Sequence, residues 1–322
     1  MGAPLPSSVA EILPGLHAVG GTLPSGGFSY LIPPQLGGAV PVQCYVLSSE
    51  GQSLVLDTGL AVHRAAIEAG LASVLPEGQR EIVVSRWELD AIINLPWMIE
   101  RFGIRRLHSV GELDPMDFFT GFDNANIEAQ IKARIPRVPR SSMMPGAVIP
   151  VGAMRLEVMR TSLRLLLTNW FYEQTTATLF SSDAFGLGSR PGAAGPFVAE
   201  PSELALSDRL VRDTLRWKLD WLSGADTAPV IEDLRAFFAE RPVARICPAF
   251  GGVIEGTEAV ARMVEATADA IAALGREPQR SAFHGFDLEA AVARPTVLDV
   301  PALLAAGNAH ARPALGPRDG VP

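Results

Sequence analysis

The stretch "EIVVSRWELDAIINL", residues 81–95, begins as an apolar β-type run and continues into Arg86, Glu88 and Asp90 at alternate positions. Alternate residues along an extended chain face the same side. These three side chains are therefore candidates to enter one cleft, and the group holds two carboxylates and a guanidinium but no histidine.

Working outward, "PVQCYVLSSEGQSLVLDTG" (41–59) has an apolar run, a Gly turn and a second run ending at Asp57-Thr58-Gly59, which predicts a β-hairpin followed by a turn. "AVHRAAIEAGLASVL" and "NLPWMIERFG" carry helical spacing, and "IRRLHSV" reads as a strand. Alternating strands and helices give an α/β or layered α+β class. Between 147 and 183 the rhythm changes to "AVIPVG", "MRLEVMR", "LRLLLT" and "TATLFSS", short apolar runs that predict a second sheet. "GLGSRPGAAGPF" is a loop, "SDRLVRDTLRWKLDWLSG" an amphipathic helix, "VARICPAFGG" a strand and turn, and "GTEAVARMVEATADAIAAL" a closing helix. Periodicity fades after Pro278, so one domain is expected over 1–278, with a partly mobile extension over 279–322. No internal repeat is evident.

The 322 residues are 48% hydrophobic, enough for a sizeable core. A net charge of −8 provides no broad positive field, so neither nucleic acid nor an anionic membrane is an expected partner. The N-terminal segment has no basic region followed by an apolar one, and no run is long enough for a membrane span, which predicts a cytoplasmic protein. Cys44 and Cys247 lie on apolar strand-like segments and are expected to be buried, reduced thiols. His17, His63, His108, His284 and His310 form no ligand pair and are expected on the surface or in loops.

Four segments, "LVLDTG", "SRWELDA", "LFSSDAFG" and "CPAFGG", together resemble the metallo-β-lactamase fold in its flavodiiron and oxygen-binding diiron branch, over residues 12–275. The resemblance implies an α+β, αββα sandwich: two packed mixed β-sheets with helices on both outer faces. It also implies where metal ligands belong. The branch's His-x-Glu-x-Asp-His falls on Arg86, Glu88, Asp90 and Ala91. Its His-Trp-Pro-Asp falls on Asn169-Trp170-Phe171-Tyr172, and its Pro-Ser-His-Gly on Pro248-Ala249-Phe250-Gly251. By that correspondence four histidine ligands are replaced, while the candidate metal residues Glu88, Asp90 and Asp183 remain. No segment resembles a flavodoxin phosphate loop, so no FMN is expected.

Carboxylates brought together in a buried cleft need cationic compensation or protonation. Arg86 can hold a carboxylate bidentately in place of a metal. Alternatively, Arg86 turns to solvent, or Glu88, Asp183 and Asn169 hold a single ion, iron or manganese, oxygen ligands favouring Mg2+, Ca2+ or Mn2+ over zinc, with Asp90 insufficient to hold a second ion. Phe250 either plugs the second metal volume or walls a reshaped pocket. Ser181 and Ser182 lack a local histidine base, and Asp57 is expected to be a structural turn acceptor.

The expected site is thus Arg86, Glu88, Asp90, Asn169, Asp183 and Phe250. The expected function is a non-reductase, sensor-like protein without a cofactor that binds a small molecule or a protein partner, and forms a homodimer through surface such as "LRWKLDWL". The alternative is a metal-dependent oxidoreductase or oxygen/NO-binding protein with a rebuilt carboxylate site, or a metal-dependent hydrolase.

Overall fold

The computed structural model describes residues 7–24, 36–111, 114–120, 136–192, 195–204 and 206–278. Seven strands form a first sheet in plain chain order: β1 (Val9–Leu13), β2 (Leu16–Pro24), β3 (Ala39–Ser49), β4 (Gln52–Leu56), β5 (Gln79–Val83), β6 (Arg106–Val110) and β7 (Arg140–Met143). Neighbours from β1 to β4 are antiparallel, and those from β4 to β7 are parallel. Parallel neighbours require crossovers. These carry α1 (Arg64–Val74), α2 (Leu89–Ile92), α3 (Leu95–Phe102) and α4 (Asp117–Thr120).

The second sheet contains β8 (Val148–Val151), β9 (Met154–Arg160), β10 (Asn169–Glu173), β11 (Thr178–Ser182), β12 (Val198–Ala199), β13 (Arg245–Pro248) and β14 (Val253–Glu255), ordered β12-β14-β13-β11-β10-β9-β8. The remaining long helices are α5 (Asp208–Lys218), α6 (Ala228–Glu240) and α7 (Thr257–Gly275).

The period-2 alternation of strands divides the core into layers. On β10, Phe171 points between the sheets and joins Tyr45, Leu47 and Leu54, whereas Trp170 and Tyr172 point outward to the layer holding Leu215, Phe237 and Met263. On the other side, Val46, Val55 and Ile82 pack against Ile67, Leu71 and Ile99. The result is the αββα sandwich: helix layer, sheet, sheet, helix layer.

The predicted hairpin, helices and strands appear where their patterns place them, with exceptions. "LRLLLT" is no strand: Arg160 pairs with Asn169 across β9 and β10, so the intervening residues must form the connecting loop. Leu165, Leu166 and Leu167 are consequently exposed. His63 and His108 are buried rather than on the surface, the latter because Glu81 on the adjacent strand receives it at 2.6 Å. Strands β1 and β2 and helix α6 were not anticipated. Cys44 and Cys247 are free and buried, and no helix among the described residues is long and apolar enough to cross a membrane. The expected extension over 279–322, and with it His284 and His310, lies outside the described residues.

Candidate functional site: a buried arginine among four carboxylates

The site forms at the C-terminal ends of β4, β5 and β11. Asp57 follows β4 in the left-handed backbone region, φ 62°, and Ser182 closes β11 at φ 55°. Such values are uncommon for residues other than Gly and cost of order 1 kcal/mol or more. They turn the two strand ends so that Asp57 and Asp183 converge on the segment after β5. Asp57 accepts from Ser85 N at 2.6 Å and Ser85 Oγ at 2.7 Å, which locks the two loops together. Asn94 reinforces the same junction by donating to the carbonyls of Thr58 and Gly59.

Arg86 lies at the centre, with 0% exposure. Its guanidinium reaches Asp57 at 3.3 Å, Asp183 at 3.2 Å and Glu88 at 3.7 Å, and it binds Asp90 one helical turn along the chain. Glu88 and Asp183 are therefore neighbours despite their separation in sequence. A second cation completes the cluster. Lys218, the last residue of α5, is buried and places Nζ 3.4 Å from Asp183 and 3.7 Å from Glu88. The same ammonium stands 5.2 Å from the Phe250 ring centroid, within cation–π range.

Phe250 is fully buried beside Val40 and Val42. Its ring covers Gly186 so closely that a Cβ there would lie 2.2 Å from Phe250 Cε2. The aromatic thus fills its volume and uses the glycine of "SSDAFG" as the floor. Asn169 is adjacent, its backbone N–H donating to Ser85 O at 3.0 Å, but its side-chain amide donates to Met143 O and takes part in none of the Arg86 ion pairs. The structure therefore brings Arg86, Glu88, Asp90 and Asp183 together, seats Phe250 against them through Lys218, and directs the Asn169 amide elsewhere.

The electrostatics follow from four carboxylates facing two cations. Burial pushes Asp57 up to about 7, against the pull of Arg86 and the Ser85 hydrogen bonds. Burial, with Asp183 close by, likewise pushes Glu88 up to about 7. Burial would also raise Asp183, but Arg86 and Lys218 outweigh it and hold that carboxyl below its ordinary value. Burial opposes the charge on Arg86, yet Asp183, Asp90 and Asp57 keep its pKa well above normal. Proton uptake by Asp57 and Glu88, favoured by burial, offsets part of the excess of carboxylates over cations.

Lys218 and the charged role of Asp57 escaped the sequence reading. Lys218 sits in "LRWKLDWL", where its helix periodicity resembles that of any basic residue in a last turn. The apolar residues of that segment are also turned inward: Leu215, Leu219 and Leu222 are buried, leaving Trp221 exposed. Among the described residues, no group of three or more His, Cys, Asp and Glu side chains has an arrangement suited to a metal ion.

No protein-family model and no curated protein matches the sequence. Solved structures do match the fold. Rubredoxin oxygen:oxidoreductase from Desulfovibrio gigas aligns with TM-score 0.60 at 18% identity, over 82% of this chain and 61% of that one. The metal-soaked Flv1 flavodiiron core from Synechocystis aligns with TM-score 0.59 at 13% identity, over 82% and 60%. A diflavin flavoprotein fragment from Nostoc aligns with TM-score 0.57 at 12% identity, over 83% and 95%. The chain spans about three fifths of the length of the first two. With its two seven-stranded mixed sheets and flanking helices, it has the metallo-β-lactamase sandwich fold carried by flavodiiron cores.

Proposed function

We propose that this chain is a non-reductase binding protein in which Arg86 and Lys218 supply the positive charge that metal ions supply in flavodiiron cores. The observation that carries this reading is Arg86, fully buried and within 4.0 Å of four carboxylates. The donor set is a poor fit to a diiron centre. Iron sites of this kind combine imidazole with carboxylate, whereas Arg86, Ala91, Asn169 and Phe250 occupy the positions that the sequence correspondence gives to histidine. A guanidinium and an ammonium stand among the remaining carboxylates, and a metal ion there would face two like charges within a few ångströms. With two protein cations among the carboxylates and Phe250 packed into the cleft, the task left to the chain is recognition of a small molecule or a protein, without FMN.

A second reading draws on the excess of carboxylates over cations. Glu88 and Asp183 together can attract one iron or manganese ion, and the chain would then act as a metal-dependent oxidoreductase, oxygen/NO-binding protein or hydrolase. One experiment separates the two: elemental analysis of protein purified without chelator from iron- and manganese-supplemented cultures. The binding-protein reading expects well under one transition-metal ion per chain. Stoichiometric iron or manganese, lost on Glu88→Gln, would move the assignment to the second reading.

A further inference from the structure

Beside the charge cluster, the loop that joins β9 to β10 carries three consecutive leucines, Leu165, Leu166 and Leu167, all exposed. The loop cannot turn them inward, because it is pinned on both sides of the run. Leu163 is buried in the outer core layer, Arg164 O accepts from Trp221 Nε1 at 3.1 Å, and Thr168, itself buried, forms a backbone bridge with Arg86. Trp221 is exposed as well, so the four side chains make a fixed apolar patch.

Two charges flank the patch. Arg164 precedes the leucines and Asp220 precedes Trp221, and neither takes part in an ion pair among the described residues. Apolar side chains centred among polar ones, with an indole among them, have the composition of a protein interface. A two-fold axis sets the same surface of two copies against itself, so every contact across it occurs twice. A patch carrying charge of one sign would repel itself there, whereas this one offers an arginine and an aspartate that can exchange across the axis. A second copy of the chain is therefore the occupant that the charges favour.

We propose that the leucine loop and Trp221 form the core of a two-fold symmetric dimer interface, in which Arg164 of each copy pairs with Asp220 of the other. The interface goes beyond the binding-protein reading and does not rest on it. Both of its segments also adjoin the cluster: Thr168 is bridged to Arg86, and Trp221 lies three residues after Lys218. Dimerisation thus steadies the two stretches of chain that abut the cations.

The test is sedimentation velocity of the full chain over a concentration series reaching about 100 μM, with a dimer expected by about 10 μM. Leu166→Glu sets a carboxylate into the apolar core from both sides and should weaken the dimer at least about 100-fold. Arg164→Asp alone and Asp220→Arg alone each oppose like charges across the axis and should weaken it about tenfold, while the two exchanges combined should return the affinity to within about threefold of the parent. Far-UV circular dichroism spectra that overlay the parent's establish that the variants are folded. A parent that stays monomeric at about 100 μM, a dimer indifferent to Leu166→Glu, or a double exchange no tighter than the single ones would overturn the proposal. So would a monomer that floats with vesicles of phosphatidylcholine and phosphatidylglycerol and loses that binding on Leu166→Glu, which would assign the patch to a lipid surface.

Discussion

Replacing Arg86 by Ala removes the only residue that contacts all four carboxylates of the cluster among the described ion pairs. At an effective dielectric of about 20, each contact near 3.3 Å is worth roughly 5 kcal/mol of gross attraction. Much of that is cancelled by the cost of burying the guanidinium and by repulsion among the carboxylates. The net loss on breaking a buried pair is about 3–5 kcal/mol, because the partners stay buried and uncompensated. For a folded unit of this size that corresponds to a fall in Tm of roughly 6–20 °C. The assay is a pair of calorimetric melts, at pH 5.5 and pH 8, for parent and Arg86→Ala. The penalty should be larger at pH 8, where Asp57 and Glu88, held up at about 7, are ionised, and smaller at pH 5.5, where both carry protons. An Arg86→Ala variant as stable as its parent at pH 8, or a penalty equal at both values, would refute the reasoning.

Other outcomes follow from the same geometry. Asp57 and Glu88, held up at about 7, bind more protons folded than unfolded between roughly pH 4 and 7; their stabilisation is complete below that window and lost as pH rises through it, at about 1–3 kcal/mol per unit for the pair. His17, His63 and His108, lowered by burial, act in the opposite sense below about 6.5, so the measurement is the slope of Tm from pH 6.5 to 8 in the parent against Glu88→Gln, which should be flatter. Gly186→Ala drives a methyl into the Phe250 ring and should cost about 1–3 kcal/mol in urea unfolding, with Phe250→Leu relieving part of it. Histidine at Arg86, Ala91, Asn169 and Phe250 together should take up iron poorly while Lys218 Nζ stays 3.4 Å from Asp183, and adding Lys218→Ala should raise the iron content measured by elemental analysis. The chain should be a homodimer by light scattering at micromolar concentration, and the exposed Leu165, Leu166, Leu167 and Trp221 make Leu166→Glu the variant expected to shift it to monomer.

Much of the fold is legible because strand alternation and helix spacing are local signals. The hairpin at 41–56, the helix after it and the carboxylate-bearing loop after β5 all follow from residues within reach of one another in sequence. "LRLLLT" misled because composition does not report register: only the pairing of Arg160 with Asn169 makes the run a hairpin loop. In the site, Arg86, Glu88 and Asp90 were identifiable from their alternate spacing after a strand, whereas Asp183 and Asn169 were reached only through the family correspondence. Lys218 was not, since nothing in α5 distinguishes a lysine aimed at a distant carboxylate from one aimed at solvent. Phe250 was reached through the family correspondence alone, and that it sits on Gly186 is a long-range packing fact.

The central claim, that protein cations occupy the place of metal ions, is tested most directly by a crystal of the unmodified chain soaked in manganese and measured for anomalous scattering. The account predicts no anomalous peak between Glu88 and Asp183, with the Arg86 guanidinium within 4.0 Å of Asp57, Glu88, Asp90 and Asp183. A peak bridging Glu88 and Asp183, with Arg86 swung out of the cluster, would contradict it.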